Sequence, residues 1–194
     1  MKKILVFLLS LLLLSGCGKK EEEEEEIHFD YEIQSEAVDM SAYSGVNSTK
    51  HCFRLVTCAE LFSTIDNGGS GVFYLGRSNC QCCQDVTKYV NEIGLELGVT
   101  IYYIDVYNEK ENLSEDKDLQ DKLHDYMYDI LGTDDDGEKV LLTPHLFQVV
   151  NGQLKDNQIC HDGIFTVNPT DEQIEELKEV YRRILSPFAS ASQD

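Results

Sequence analysis

Residues 72–75, "VFYL", are apolar at every position. A strand with one wet face alternates apolar and polar residues, so an unbroken run has to be covered on both sides. The stretch "VTIYYIDV", 99–106, sets the same condition again. Between the two, Cys83, Val86, Val90, Ile93 and Leu97 recur at spacings of three and four, one apolar stripe of a helix that Gly98 closes. Buried strands joined through an amphipathic helix require helices on both faces of a sheet. The chain is predicted to be α/β.

The flanking segments extend this pattern. "HCFRLV" is a short strand, and Thr57 with Glu60 three residues on is a capping box opening a helix that carries Leu61, Phe62 and Ile65. Gly68-Gly69-Ser70-Gly71 ends that helix, and Ser78 with Gln81 repeats the box before the next one. Residues 108–118 read as an acidic loop. A further helix carries Leu119, Leu123, Met127, Ile130 and Leu131, with Gly132 at its end. "VLL", Pro144 and "LFQVV" lead to Asn151-Gly152, a hairpin signal, and residues 155–160 would return as the paired strand. The last helix opens at Thr170 with Gln173 and buries Ile174, Leu177, Tyr181 and Ile184; Pro187 stops it, leaving 188–194 as a flexible tail. The domain is placed at 51–187. Residues 27–50 are ambiguous: Ile27, Phe29, Tyr31 and Ile33 alternate as in an added edge strand, and a linker fits equally well.

The chain start sets the chemical compartment. Two lysines precede an apolar run of 11 residues, Ile4 to Leu14, too short for a spanning helix and suited to a signal-peptide core. Leu14-Ser15-Gly16-Cys17 follows, resembling the lipobox of bacterial lipoproteins, which implies cleavage after residue 16 and lipidation of Cys17. The remaining six cysteines are then expected outside the cytoplasm, at the outer face of the cell membrane, where disulfides persist. Glu21 to Glu26 form a self-repelling block, so 17–50 is expected to contain an acidic tether. Removing 1–16 leaves 14 basic against 36 acidic residues, a formal charge of −22. A body this acidic excludes nucleic acid as a partner.

"SNCQCCQD", 78–85, offers three thiols in four positions. On a helix Cys80 and Cys83 lie about 60° apart around the axis, whereas Cys80 and Cys82 lie about 200° apart. Vicinal Cys82–Cys83 bonding needs a strained small ring. Geometry favours Cys80–Cys83. With Ser78 as cap, Cys80 would sit in the first turn, where unpaired amides favour the attacking thiolate, and Cys83 would be sheltered and resolve the mixed disulfide.

At these residues the chain resembles the thioredoxin superfamily, from about His51 to Leu185. "YLGRSNCQCC", "YYIDV" and Thr143-Pro144 before an apolar strand carry the likeness, which is nearest to small Gram-positive thioredoxin-like lipoproteins of the bacteriocin-transport accessory type. The resemblance implies a thioredoxin-like fold, a cis-proline at Pro144, and a substrate chain paired to the backbone of Thr143. Three positions depart from thioredoxin proper: Asn79, Gln81-Cys82 and Tyr74 stand where Trp, Gly-Pro and a buried acid are usual.

Cys82 is expected to be a partly exposed thiol, with a third redox partner or a Cu(I) or Zn ligand as the alternatives. Cys52, Cys58 and Cys160 are structural or free, and His145 is a solvated loop residue. His28, His51, His124 and His161 lack ligand spacing. No phosphate loop, nucleophile elbow or zinc-hydrolase motif is present, and no cofactor is expected. Two function classes follow. One is a membrane-anchored thiol–disulfide oxidoreductase acting on secreted or cell-envelope polypeptides, with a membrane redox partner. The other is an accessory or metal-handling lipoprotein of the same fold. The direction of electron flow is not written in the residues, because potential depends on how the fold stabilises the thiolate.

Overall fold

The computed structural model describes residues 26–161, 163–164 and 169–189. The elements run β1 (Phe53–Leu55), α1 (Cys58–Asp66), β2 (Gly71–Gly76), α2 (Gln81–Leu97), β3 (Ile101–Asp105), α3 (Lys117–Met127), β4 (Gly132–Thr133), β5 (Lys139–Val140), β6 (His145–Val150), β7 (Gln153–Ile159) and α4 (Asp171–Leu185). Five strands form one sheet in the order β1-β3-β2-β6-β7, and β4 with β5 makes a separate two-stranded ribbon. β1 and β2 both run parallel to β3, while β6 is antiparallel to both β2 and β7. A parallel βαβ unit extended by an antiparallel hairpin, with helices on both faces, is the thioredoxin-like α/β arrangement.

β2 is central and buried along its whole length. Its side chains alternate between two cores. Val72 and Tyr74 join Cys83, Val86, Val90 and Ile93 of α2 and Leu177, Tyr181 and Ile184 of α4 on one face. Phe73 and Leu75 join Leu61 and Phe62 of α1 and Leu123 and Met127 of α3 on the other. Both faces of the "VFYL" run are therefore covered, as its composition requires.

Local signals place most of the ends. Thr57 caps α1 by accepting from the Glu60 amide, and Thr170 with Gln173 forms a complete capping box on α4. Gly98 ends α2 in the left-handed conformation. At the β6–β7 hairpin Asn151 and Gly152 have φ of 51° and 77°, the positive pair a type I′ turn needs. A Cβ at Gly152 would run into the Ile65 carbonyl, so only glycine fits there.

The structure differs from the sequence-based expectation in several elements. α3 stops at Met127, a single 3-10 turn spans Tyr128–Ile130, and Gly132 starts β4 instead of capping a helix. The competing structure is the β4–β5 ribbon. Its turn is closed by Asp134 Oδ1, which accepts from the amides of Asp136 and Glu138. Residues 27–33 form no strand; a lone antiparallel bridge joins Glu36 to Leu55. Buried residues begin well before position 51, with Ile33, Met40, Tyr43 and Val46 all in the core. Phe188, expected in the tail, lies in a 3-10 turn and packs against the α2–α4 core.

Candidate active site

The chain leaves β2 through Arg77–Asn79 and enters α2 at Cys80. Cys80 is itself the N-cap, with extended dihedrals of φ −92° and ψ 123°, and its carbonyl accepts from the Gln84 amide at 3.0 Å. The Ser78–Gln81 box is not formed. A turn from Arg77 O to the Cys80 amide (3.3 Å) delays the helix by two residues past the position that Ser78 would cap. Gln84 fastens the start of α2 to the N-terminal segment, its Nε2 donating to Ala42 O at 2.9 Å and its Oε1 accepting from Ser44 N at 2.8 Å.

Cys80 and Cys83 are both free thiols in unlike surroundings. The Cys80 thiol is half-buried and donates to the Thr143 carbonyl at 3.4 Å. Burial by itself would raise its pKa. The Cys83 amide and thiol, the Thr143 side chain and the Cys82 amide together outweigh burial and hold it below the ordinary thiol value. The Cys80 side chain makes no capping hydrogen bond as a thiol, so these neighbours in the first turn of α2 act on its charged form. Cys83 is fully buried, and burial pushes its thiol up to about 12. The Thr143–Pro144 peptide is cis, and Pro144 is buried. Cys80, Cys83, Thr143 and Pro144, singled out in the sequence, come together at one end of the sheet. Cys17 lies outside the described residues.

Tyr74, in the place of the usual buried acid, is held as a neutral donor. Thr87 Oγ1 gives its proton to Cys83 O at 2.6 Å, so the 2.6 Å contact between Tyr74 and Thr87 has Tyr74 as donor. Burial lifts the Tyr74 phenol well above its ordinary value. Tyr43 and Tyr103 form a second buried hydroxyl pair at 2.8 Å.

Two expectations are corrected. Cys82 is not a free surface thiol but is bonded to Cys160, 78 residues away, with a Cα–Cα distance of 5.9 Å. The topology accounts for this: β7 runs antiparallel beside β6 and ends at Ile159, which pairs with His145, the residue after Pro144. Cys160 is thereby delivered to the helix start. His145 is not solvated; it is fully buried in β6, and desolvation lowers its pKa to about 4. Its Nε2 meets Asn157 Oδ1 at 3.0 Å and must donate there, which makes Nδ1 a buried acceptor with no hydrogen-bond partner among the described residues.

Sequence reasoning gave no role to Arg77 and Tyr107, which rim the site. Arg77 Nη1 and Asn79 Nδ2 both donate to the Tyr107 hydroxyl, at 3.3 and 3.2 Å. A cleft of about 440 Å³ opens beside Thr143, lined by Arg77, Leu113, Leu141 and Leu142 among others.

The first 17 residues match the model of the prokaryotic membrane lipoprotein lipid attachment site. The match supports a lipid-anchored, membrane-associated protein. Among the described residues no helix is long and apolar enough to cross a membrane. No curated protein matches the chain. Solved structures similar to it include thioredoxin O2 from Arabidopsis thaliana in the oxidised state, 18% identical over 69% of this chain and 94% of that chain, with a TM-score of 0.40. Thioredoxin O1 from the same plant is 17% identical over 68% and 96%, with a TM-score of 0.41. Fasciola hepatica thioredoxin is 16% identical over 67% and 97%, with a TM-score of 0.39.

Proposed function

We propose that the protein is a lipid-anchored thiol–disulfide oxidoreductase that works outside the cytoplasm on secreted or cell-envelope polypeptides. One observation carries the reading: a half-exposed thiol at a helix N-cap, bonded to the Thr143 carbonyl, with a second, buried thiol three residues on. The Cys80 thiolate attacks a substrate disulfide and expels one substrate sulfur as a thiolate. Cys83 then gives up its proton and attacks Cys80 Sγ, releasing the second substrate thiol and leaving Cys80–Cys83 oxidised. Run backwards, the same steps oxidise a substrate. Thr143 offers its backbone to the substrate chain beside the cysteine.

The decisive experiment incubates reduced protein carrying Cys83→Ala, with Cys82→Ser and Cys160→Ser to remove the neighbouring thiols, with a peptide disulfide. The expected result is a stable mixed disulfide, seen as a mass adduct on Cys80. An adduct on any other cysteine, or none, overturns the assignment.

One cluster supports a metal-handling alternative. The donor atoms of Cys82, Cys160 and His161 lie within 4.8 Å of one another, and reduction of the disulfide would expose two thiolates beside an imidazole. That set suits Cu(I) or Zn. Stoichiometric metal after purification under reductant, lost on Cys82→Ser, would favour this reading over a purely redox one.

A further inference from the structure

The Cys82–Cys160 bond is built into the surroundings of Cys80 through the backbone. On one side, Cys82 stands two residues after Cys80 in the first turn of α2, and its amide helps to lower the Cys80 thiol. On the other, the Cys160 amide donates to the Pro144 carbonyl at 2.8 Å, and the neighbouring Thr143 carbonyl accepts from the Cys80 thiol at 3.4 Å. A path therefore runs from Cys80 through Thr143–Pro144 to Cys160, across the disulfide to Cys82, and back along the chain to Cys80. Cys160 holds φ at 46°, a conformation uncommon for a residue with a side chain, at the position where β7 ends. Both cysteines of this bond are half-buried. The disulfide is not sealed in the core.

The N-cap position of Cys80 removes the geometric objection to its meeting Cys82. Two helical residues at that spacing point to opposite sides. Cys80 has extended dihedrals, so that rule does not describe the pair.

We infer that Cys82–Cys160 is a second redox centre, exchanging electrons with the Cys80–Cys83 dithiol inside one molecule. The inference rests on Cys80 being the nucleophile of the proposed function. The Cys80 thiolate attacks Cys82 Sγ; the Cys80–Cys82 bond forms, the Cys82–Cys160 bond breaks, and Cys160 leaves as a thiolate that takes a proton from solvent. Cys83 then loses its proton and attacks Cys80 Sγ, and Cys82 leaves as a thiolate that is protonated in turn. The sum converts two thiols and one disulfide into one disulfide and two thiols, with no outside oxidant. In this scheme the Cys82–Cys160 pair is the port through which electrons taken from one thiol partner are passed to another without Cys83 leaving the core.

The test uses the full-length lipoprotein in detergent. Protein carrying one disulfide per molecule is prepared with Cys82–Cys160 closed and, separately, with Cys80–Cys83 closed. Samples are acid-quenched over time, alkylated, digested and mapped by mass. The expected result is relaxation of both preparations to one common ratio of the two disulfides, at a rate that does not change with protein concentration. In Cys83→Ala the exchange should stop halfway, giving a Cys80–Cys82 linkage with Cys160 alkylated. Two preparations that stay as made, or a rate that rises with protein concentration, overturn the inference. Should the Cys83→Ala protein fail to fold, the wild-type relaxation decides alone. A wild-type protein that attacks an added peptide disulfide through Cys80 yet shows no internal exchange removes this inference and leaves the proposed function standing. A Cys80 that attacks neither removes both.

Discussion

Cys80 and Cys83 have the same side chain and opposite chemistry: burial raises both thiols, and only at Cys80 do the neighbouring groups outweigh it. At neutral pH a thiol with a pKa of about 12 is ionised to roughly 1 part in 10⁵, so Cys83 is almost silent as a nucleophile until Cys80 is engaged. Iodoacetamide at pH 7 should therefore label Cys80 first, by a factor of at least about 10² over Cys83, and Cys80→Ser should abolish the fast phase. Comparable rates at the two sulfurs would contradict the assignment. Cys52 and Cys58 are pushed up to about 12 by the same desolvation and should be equally inert in the folded chain. His145 makes a second prediction, one that concerns stability. Its folded pKa, about 4, lies below the ordinary value of 6.5, because burial disfavours the charged ring. The unfolded chain takes up the proton below pH 6.5 while the native protein does not until near pH 4. Stability present above pH 6.5 is thus lost as pH falls through that window, by up to about 3 kcal/mol. Urea midpoints measured from pH 7 to pH 4 should fall less steeply for His145→Phe than for wild type. Parallel curves would show that the imidazole is not the group responsible.

At the scale of elements, identical local signatures met different fates. Thr57 with Glu60 and Thr170 with Gln173 each mark a helix start, and each threonine caps as read. Ser78 with Gln81 has the same form and caps nothing. A capping box is a four-residue signal, whereas the start of α2 is fixed by distant partners: Gln84 bound to residues 42 and 44, and Cys82 bonded to Cys160. The end of α3 was misread for a related reason. Its apolar spacing continues to Leu131, and only the ribbon formed with Lys139 and Val140 draws Gly132 out of the helix. The acidic loop before α3 has a function its composition did not disclose. Glu111 reaches the first turn of α1, where its carboxylate accepts from the amides of Cys58 and Ala59. It supplies acceptors that Thr57 alone does not, at the positive end of the helix dipole. Glu111→Ala should lower stability by about 1 kcal/mol, the usual cost of a lost N-terminal cap, and Glu111→Gln by less. Equal losses in the two variants would point to packing of the loop instead of the amide contacts.

Across the whole molecule, a sheet covered by helices on both faces was legible because the β2 and β3 segments read as apolar runs, whereas the approach of Thr143–Pro144 to Cys80 was implied by the family resemblance and by no pattern in the residues themselves. The Cys82–Cys160 link was not, since two cysteines 78 residues apart carry no local signal of pairing. The anchor sets the other end of the molecule: Cys17→Ser should leave the protein unlabelled by fatty acid and shift it from the membrane to the soluble fraction. A variant that still takes up label would refute the attachment site. Between anchor and sheet, the sequence suggested a tether reaching to residue 50, and the structure instead buries Ile33, Met40, Tyr43 and Val46 against the two cores. Tyr43 is also bonded through its hydroxyl to Tyr103 in β3, and Ala42 and Ser44 hold Gln84 at the active-site helix. Burying one large apolar side chain contributes about 1.5–3 kcal/mol, so four together contribute roughly 6–12 kcal/mol before ordering costs. That is comparable with the whole stability of a typical domain, about 5–15 kcal/mol. A chain begun at residue 51, where the sequence places the domain boundary, should therefore be largely unfolded or aggregated at 25 °C. One begun at residue 27 keeps all four side chains and should fold. Circular dichroism melts of the two truncations separate the outcomes, and a cooperative melt from the shorter chain would mean that residues 33–46 only decorate a domain able to stand without them.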